Sequence, residues 1–170
     1  MSTPYEMQPS SRPDLLEGLA APEAGRVVSF LEGLLPYLNP DEFMLAGDLA
    51  INYRAVANKK PQLHRPQNRQ QIIIARRNSI DPAVFRSLMI AHYHTGQNEH
   101  DMSLVVVDPV THMQAEIVTE DGLFGRESVP AGGTSLPVRS AESQLAVALR
   151  GLQVIRSGVA VSRGSAGRPE

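Results

Sequence analysis

One acid-free stretch of the chain holds the side chains with the clearest chemical potential. No Asp or Glu occurs between Leu49 and Ile80, and the cations there are Arg54, Lys59, Lys60, Arg65, Arg69, Arg76 and Arg77. Such a cluster gains affinity for phosphate or RNA by releasing counterions. Aromatic residues make up 5% of the chain and Trp is absent, so few side chains can stack on bases. We consider two interpretations of the stretch Arg54–Arg77: it binds RNA or phosphate, or it is a solvated loop.

The acids are concentrated elsewhere, for example at Glu116, Glu120, Asp121 and Glu127. We therefore expect a dipolar molecule that can meet a partner head to tail, either another protein or a second copy of this chain.

The histidines raise the question of a metal site. His92 and His94 are two residues apart, which puts both side chains on one face only if the backbone is extended. We predict that they lie at the C-terminal end of a helix, where histidine stabilises the helix dipole. His100 and His112 follow later in the sequence, and no metal site is expected from these four histidines.

The composition and the local motifs exclude several other kinds of chemistry. There is no Cys, so disulfides, thiolate nucleophiles and cysteine-based metal sites are excluded. Ser128, Ser140 and Ser143 lack the context of a nucleophile elbow, and Gly132-Gly133 lacks the Lys-Ser/Thr of a phosphate-binding loop.

Length and charge indicate one domain. The chain has 170 residues, is 42% hydrophobic and has a formal net charge of −2. No apolar run approaches the ~20 residues that span a bilayer, and the segment 1–13 does not resemble a secretory signal. We expect a domain over 14–161, flexible tails at 1–13 and 162–170, a cytoplasmic location and no membrane partner.

Apolar periodicity predicts helices alternating with strands. The predicted helices begin at Pro22, after the Gly47 turn, at Pro82 and at Ser140, and the predicted strands cover 42–45, 71–75, 103–107, 113–119 and, at a sheet edge, 136–138. Surface loops are predicted over 58–70 and 131–133. The final helix has its apolar positions at Leu145, Ala148, Leu149 and Leu152 and should pack on the sheet. The fold class that follows is α+β, a mixed sheet flanked by helices.

Four segments in this order resemble the nucleotidyltransferase superfamily. They are MLAGDLAIN at 44–52, RPQNRQQIII at 65–74, VDPVTHMQAEI at 107–117 and LPVRSAESQLAVAL at 136–149. The resemblance implies a nucleotidyltransferase-like fold.

The resemblance also implies where a site would lie. Gly47 and Asp48 match the glycine turn that meets the nucleotide phosphates, and Arg65 matches a family arginine. Arg69 and Gln71 occupy the positions of two metal-binding carboxylates. Glu116 matches the third carboxylate and is the one acid retained, as metal ligand or base; its alternative is a glutamate facing solvent. The family's lysine in the last segment is replaced by Ala148.

These departures remove the means of nucleotidyl transfer. Two carboxylates one residue apart on a strand can share two Mg²⁺ ions that clamp a triphosphate, whereas arginine repels Mg²⁺ and a Gln carbonyl is a feeble ligand for it. Asp48, expected as a helix N-cap, repels phosphate. We predict that Arg69 fills the vacated metal position and pairs with Glu116 across adjacent strands; its alternative is a solvated loop arginine.

Three hypotheses follow. The first is a catalytically degenerate nucleotidyltransferase-like domain that acts as a binding or regulatory module and needs no cofactor. The second is an active enzyme that moves a nucleoside monophosphate from a Mg²⁺-bound nucleotide onto a hydroxyl, with Glu116, Glu120 and Asp121 rebuilding a metal site. The third is RNA or phosphate binding through Arg54–Arg77. Whether the chain is an enzyme stays open, and the sequence favours a chain without catalytic activity.

Overall fold

The computed structural model describes residues 12–62, 66–75 and 82–150. Nearly all of the predicted N-terminal tail and the whole of the predicted C-terminal tail lie outside these ranges. So do Arg65, Arg76, Arg77 and Leu152.

The described part of the chain forms one sheet with helices packed on it. The helices are α1 (Ala21–Leu34, continued by a 3-10 turn at Leu35–Tyr37), α2 (Gly47–Ala57), α3 (Pro82–Ile90) and α4, which covers 141–150. The strands are β1 (Phe43–Ala46), β2 (Arg69–Ala75), β3 (His94–Gln97), β4 (Leu104–Val107), β5 (Gln114–Glu120), β6 (Arg126–Ala131) and β7 (Thr134–Arg139).

The sheet is mixed. Its seven strands follow the order β3-β4-β5-β2-β1-β7-β6. The pairs β2–β5 and β1–β7 are parallel, and the other neighbours are antiparallel. The predicted α+β class, a mixed sheet flanked by helices, is confirmed.

The main core lies on one face of this sheet. Val27 and Leu34 of α1 are fully buried. They pack with Leu45 of β1 and Ile72 of β2, which are at most 1% exposed. The opposite face has a small apolar cluster of Met44, Ala46 and Ile73, with Val118 and Leu123 partly buried against it. Side chains alternate along a strand, so Arg69 and Gln71 share this second face with Ile73.

Two strands were missed by the sequence prediction, and a third was misplaced. β3 has the sequence HTGQ and is mostly exposed, so it lacks the apolar alternation that marks a strand. β6 contains Arg126, Glu127 and Pro130 and forms the actual sheet edge. The segment 136–138, predicted at an edge, belongs to β7 and lies between β1 and β6.

The predicted surface loop over 58–70 is also wrong in part. Gln67 and Gln70 are 1% and 2% exposed, and β2 begins at Arg69 rather than at Gln71. The backbone explains the burial: the Gln67 N–H donates to Glu23 of α1 at 2.6 Å, and the Gln70 amide donates to the Gln67 carbonyl at 3.0 Å. The Gln70 side chain thus has a partner, whereas the buried Gln67 side-chain amide has none among the described residues.

The last helix begins as predicted, with the Ser140 hydroxyl accepting from the Ser143 N–H at 3.2 Å. Its expected packing is wrong, because Leu145 and Leu149 are 60% and 51% exposed. The side of α4 that meets the sheet carries Gln144 instead. Among the helices in the ranges above, none has the length and apolar content that a membrane crossing requires.

Candidate functional site

The ends of three neighbouring strands bring the predicted site residues together. Ala46, the last residue of β1, is paired in register with Gln71 of β2. Gln71 is in turn paired with Glu116 of β5. Residues paired in register project to the same face, about 5 Å apart. The glycine turn after β1 and the side chains of Gln71 and Glu116 therefore share one edge of the sheet.

The turn between β1 and α2 requires glycine. Gly47 has φ +71°, in the left-handed region, and a Cβ there would lie 3.0 Å from the Gln71 Cβ. The Gly47 carbonyl accepts from the Gln144 amide at 3.4 Å, which ties α4 to the turn. Asp48 was expected as the N-cap of this helix, which is wrong: the N-cap is Ala46, and Asp48 lies within the first turn. It is half-buried there and still adds negative charge beside the turn.

Arg69 and Glu116 form the predicted ion pair. The Arg69 Nη2 donates to the Glu116 Oε2 at 3.0 Å. The arginine side chain is 56% exposed, whereas the glutamate is only 14% exposed. The alternative of a solvent-facing glutamate is therefore wrong. The alternative of a solvent-exposed loop arginine is right about the exposure of Arg69 and wrong about the loop, because Arg69 begins β2 and binds Glu116 of β5.

The second Glu116 oxygen is engaged as well, by a residue that sequence reasoning missed. The hydroxyl of buried Ser103 lies 3.1 Å from the Glu116 Oε1 and 2.7 Å from the Asp101 Oδ1. A hydroxyl has one hydrogen and donates to one of the two at a time. The available signal was local: Asp-x-Ser directly before a strand is a turn motif, with the Ser103 N–H donating to Asp101 at 3.0 Å.

These donors also act on Asp101 itself. The backbone N–H and the hydroxyl of Ser103 both stabilise the ionised carboxylate and hold the pKa of Asp101 below its ordinary value. Asp101 thus keeps a negative charge a short distance from Glu116.

The edge has no free carboxylate pair. The Glu116 Oε2 accepts from Arg69, the Glu116 Oε1 shares the one Ser103 hydroxyl hydrogen with Asp101, and Gln71 is neutral, while Arg69 brings a fixed positive charge. Over the described ranges, no group of three or more His, Asp or Glu side chains is placed to hold a metal ion. This edge of the sheet can therefore offer a ligand one cationic hydrogen-bond donor, the Arg69 guanidinium, which Glu116 holds in place.

Among the described residues, Arg54 and Arg69 of the expected basic patch bind acids at different places in the sheet order. Arg54 donates to Glu127 at 2.7 Å and to the Arg139 carbonyl at 3.2 Å, on the far side of the sheet order from Arg69. Lys59 and Lys60 are exposed at the end of α2. Arg65, Arg76 and Arg77 lie outside the described residues.

Three of the acids named for the expected charge separation have arginine partners in the described part of the chain. Glu116, Glu120 and Glu127, which were expected to form an acidic pole, bind Arg69, Arg139 and Arg54 respectively. Opposite charges are paired locally, so these acids do not form a pole of their own.

The histidine prediction is corrected in one respect. His94 is the first residue of β3 and not part of a helix end, while His92 has φ +68° in the turn after α3. Polar β3 lacks the pattern that would have shown the change from helix to strand.

Comparisons with known proteins add little to this geometry. Neither a protein-family model nor a curated protein matches the chain. Among solved structures, it is similar to a lincosamide antibiotic adenylyltransferase, LnuA, in a lincomycin-bound crystal structure, with a TM-score of 0.48 and 13% identity. That alignment covers 74% of this chain and 84% of the other. So low a TM-score supports no conclusion about activity, and the α+β class is established by the sheet and helices themselves.

Proposed function

We propose that this chain is a non-catalytic protein of nucleotidyltransferase-like fold that acts as a binding or regulatory module. The observation that carries the proposal is the Arg69–Glu116 ion pair, 3.0 Å long, at the positions where the family resemblance implies metal-binding carboxylates. A guanidinium cannot lose its proton near neutral pH, so the positive charge at this position is permanent.

Electrostatics argues against a divalent cation beside this pair. A Mg²⁺ ion bound to the Glu116 Oε2 would lie about 2.1 Å from that oxygen and therefore at most about 5 Å from the Arg69 Nη2, which is 3.0 Å from the same oxygen. Repulsion between the two cations is about 2–7 kcal/mol at that separation, for effective dielectric constants between water and a protein surface. Gln71 supplies no compensating charge, because its carboxamide is neutral.

The alternative of an active enzyme loses its proposed metal ligands. Glu116, Glu120 and Asp121 were expected to rebuild a metal site, but Glu120 lies at the opposite end of β5 from Glu116, about 13 Å along the strand. Glu120 also binds Arg139, whose side chain is 5% exposed. This set of acids does not converge.

The ligand we propose carries a single anionic group and binds without a metal. Arg69 keeps 56% of its side chain exposed while Glu116 fixes its position, so its remaining N–H groups are available to an acceptor. Asp48 and Asp101 lie near the edge and disfavour a multiply charged triphosphate. A carboxylate or a phosphate monoester of a protein or small-molecule partner fits this balance better than a nucleotide.

Thermal unfolding with and without ligands tests the proposal. Mg²⁺-ATP should not raise the melting temperature, whereas inorganic phosphate without metal should raise it, and Arg69→Gln should abolish the phosphate effect. Lys59→Gln is the matched control, because it removes an exposed cation away from the edge. A rise in melting temperature that needs both Mg²⁺ and nucleotide would support the active enzyme instead. A phosphate effect that Lys59→Gln removes would support the basic surface.

A further inference from the structure

The two edges of the sheet differ in how they are protected. At one edge, β6 carries Arg126, Glu127 and Pro130, and the Pro130 carbonyl accepts from the Leu15 N–H at 2.7 Å. Charge, proline and a covering segment are common means of keeping an edge strand from pairing with another chain. At the other edge, β3 has the sequence HTGQ, with no proline and no residue of fixed charge, and is mostly exposed. Of the two, β3 is therefore the edge that is open to a further strand.

The pairing with β4 shows which backbone groups of β3 point outward. The Asn98 N–H donates to the Ser103 carbonyl at 2.8 Å. Hydrogen-bonded positions alternate along an antiparallel ladder, so Gly96, two residues earlier, also directs its backbone groups to β4. Thr95 and Gln97 then direct their N–H and C=O groups away from the sheet, to the side where the described residues place no strand.

Gly96 leaves the middle of this edge open to close approach. A Cβ at this position would have no atom within 4 Å, and its φ is not positive, so nothing in the described part of the chain requires glycine there. Glycine weakens the interior of a strand and often marks a place where another backbone approaches. Gly96 is thus a second observation that points to a partner strand at this edge.

We propose that β3 pairs with β3 of a second copy of this chain, antiparallel and about a two-fold axis at Gly96. Thr95 of each copy then faces Gln97 of the other, and each such pair forms two main-chain hydrogen bonds, so that all the outward groups are used. A two-fold axis at Thr95 would instead oppose Gln97 to Tyr93. The Tyr93 N–H already donates to the Leu88 carbonyl at 3.0 Å, so that register would leave outward groups unpaired.

The residues at the two ends of β3 favour a second copy as the partner. Ile90 ends α3 just before β3 and is 73% exposed, while Met102 lies between β3 and β4 and is 66% exposed. Antiparallel pairing brings Met102 of each copy to the end at which Ile90 of the other lies, so apolar side chains meet at both ends. Exposed Glu99 likewise approaches exposed His92 of the other copy. An unrelated strand would satisfy the backbone groups alone.

The dimer places both Arg69 edges on one face of a continuous sheet. Glu116 is paired with Val105, and Val105 with Gly96, so the three lie in one row across the strands. The two-fold axis continues this row into the second copy, and with neighbouring strands about 4.8 Å apart the two Glu116 residues lie about 24 Å from each other. Dimerisation does not depend on what the Arg69 edge binds, so its test is separate from that of the proposed function.

Analytical ultracentrifugation of the full chain tests whether β3 is the interface. The wild type should show a monomer–dimer equilibrium, and Gln97→Pro should raise its dissociation constant at least ~10-fold, because proline removes an outward N–H and leaves the ladder to β4 intact. Gln97→Ala is the matched control: it removes the same side chain but keeps the N–H, so it should dimerise like the wild type. Circular dichroism checks that each variant is folded. A wild type that is monomeric at all concentrations, or equal dissociation constants for Gln97→Pro and Gln97→Ala, would overturn the proposal.

Disulfide formation tests the register without a proline variant. The chain has no cysteine, and the space around Gly96 admits one. In the proposed register Gly96 faces itself at a non-hydrogen-bonded position, where the two Cα atoms are about 4.5 Å apart, within reach of a disulfide. Oxidised Gly96→Cys should therefore become a covalent dimer, and faster than Ser128→Cys, which places a thiol at an exposed position on the β6 edge. Equal rates for the two variants would contradict the pairing of β3.

Discussion

Restoring two carboxylates on β2 should turn the Arg69 edge into a divalent-cation site. Arg69→Asp with Gln71→Asp places two acids one residue apart on the face that already carries Glu116. The substitution also removes the cation that lies 3.0 Å from the Glu116 Oε2. The edge would then hold three carboxylates, a donor set that suits Mg²⁺ and Mn²⁺.

The size of the effect follows from the repulsion removed. About 2–7 kcal/mol of cation repulsion corresponds to roughly 10-fold to 10⁵-fold in affinity, at about 1.4 kcal/mol per factor of ten. The new carboxylates add attraction to this. We therefore expect the double variant to bind Mn²⁺ at least ~10-fold more tightly than the wild type.

Isothermal titration calorimetry with Mn²⁺ measures the difference. Lys59→Asp with Thr134→Asp is the control, since it makes the same change of net charge at two exposed positions away from this edge. Equal affinity in the control and the Arg69→Asp/Gln71→Asp variant would refute the reasoning, because the gain would then be a general effect of negative charge. Tight Mn²⁺ binding by the wild type would refute it equally.

Three further predictions concern the fold and its pH dependence. Gly47→Ala should lower the free energy of unfolding by about 1–3 kcal/mol in urea titrations, because of the positive φ and the close Gln71 Cβ, whereas Gly25→Ala, with open space around it, should be neutral or slightly stabilising. Asp101→Asn should destabilise the protein at neutral pH, and the difference should begin to shrink as the pH falls below about 4 and vanish once the pH is below the lowered pKa, since the stability is lost as the folded carboxyl is protonated; a constant difference down to that pH would contradict the role of the charge. Burial, then Asp108 and Tyr37, raises the pKa of Tyr93, so the wild type should lose stability as the pH rises above about 10 and Tyr93→Phe should lose less; identical alkaline unfolding curves would exclude this.

The central strands were predictable because their environment determines their sequence. The β-branched run Ile72-Ile73-Ile74 is buried on both faces, which is typical of a strand in the middle of a sheet. Edge strands carry no such requirement, and HTGQ of β3 contains nothing that distinguishes it from a turn. The prediction therefore succeeded at the centre of the sheet and failed towards its margins.

The candidate site was predictable where register alone brings residues together. The Arg69–Glu116 pair follows from two parallel neighbouring strands, whose order the family resemblance supplied. Ser103 could not be linked to Glu116 in advance, because β4 reaches β5 through a turn whose geometry is local to residues 108–112. Amphipathic spacing indicated that one side of α4 is apolar, but spacing does not tell whether that side packs on the same chain or on another.

Transfer of a labelled nucleotide tests the central claim most directly. The wild-type protein is incubated with Mg²⁺ and each α-phosphate-labelled nucleoside triphosphate, together with RNA, protein and small-molecule hydroxyl acceptors. If the Arg69–Glu116 pair has replaced the metal site, no acceptor becomes labelled and the triphosphate remains intact. Mg²⁺-dependent labelling by the wild type that Glu116→Gln abolishes would contradict the claim, because Glu116 would then be acting in catalysis.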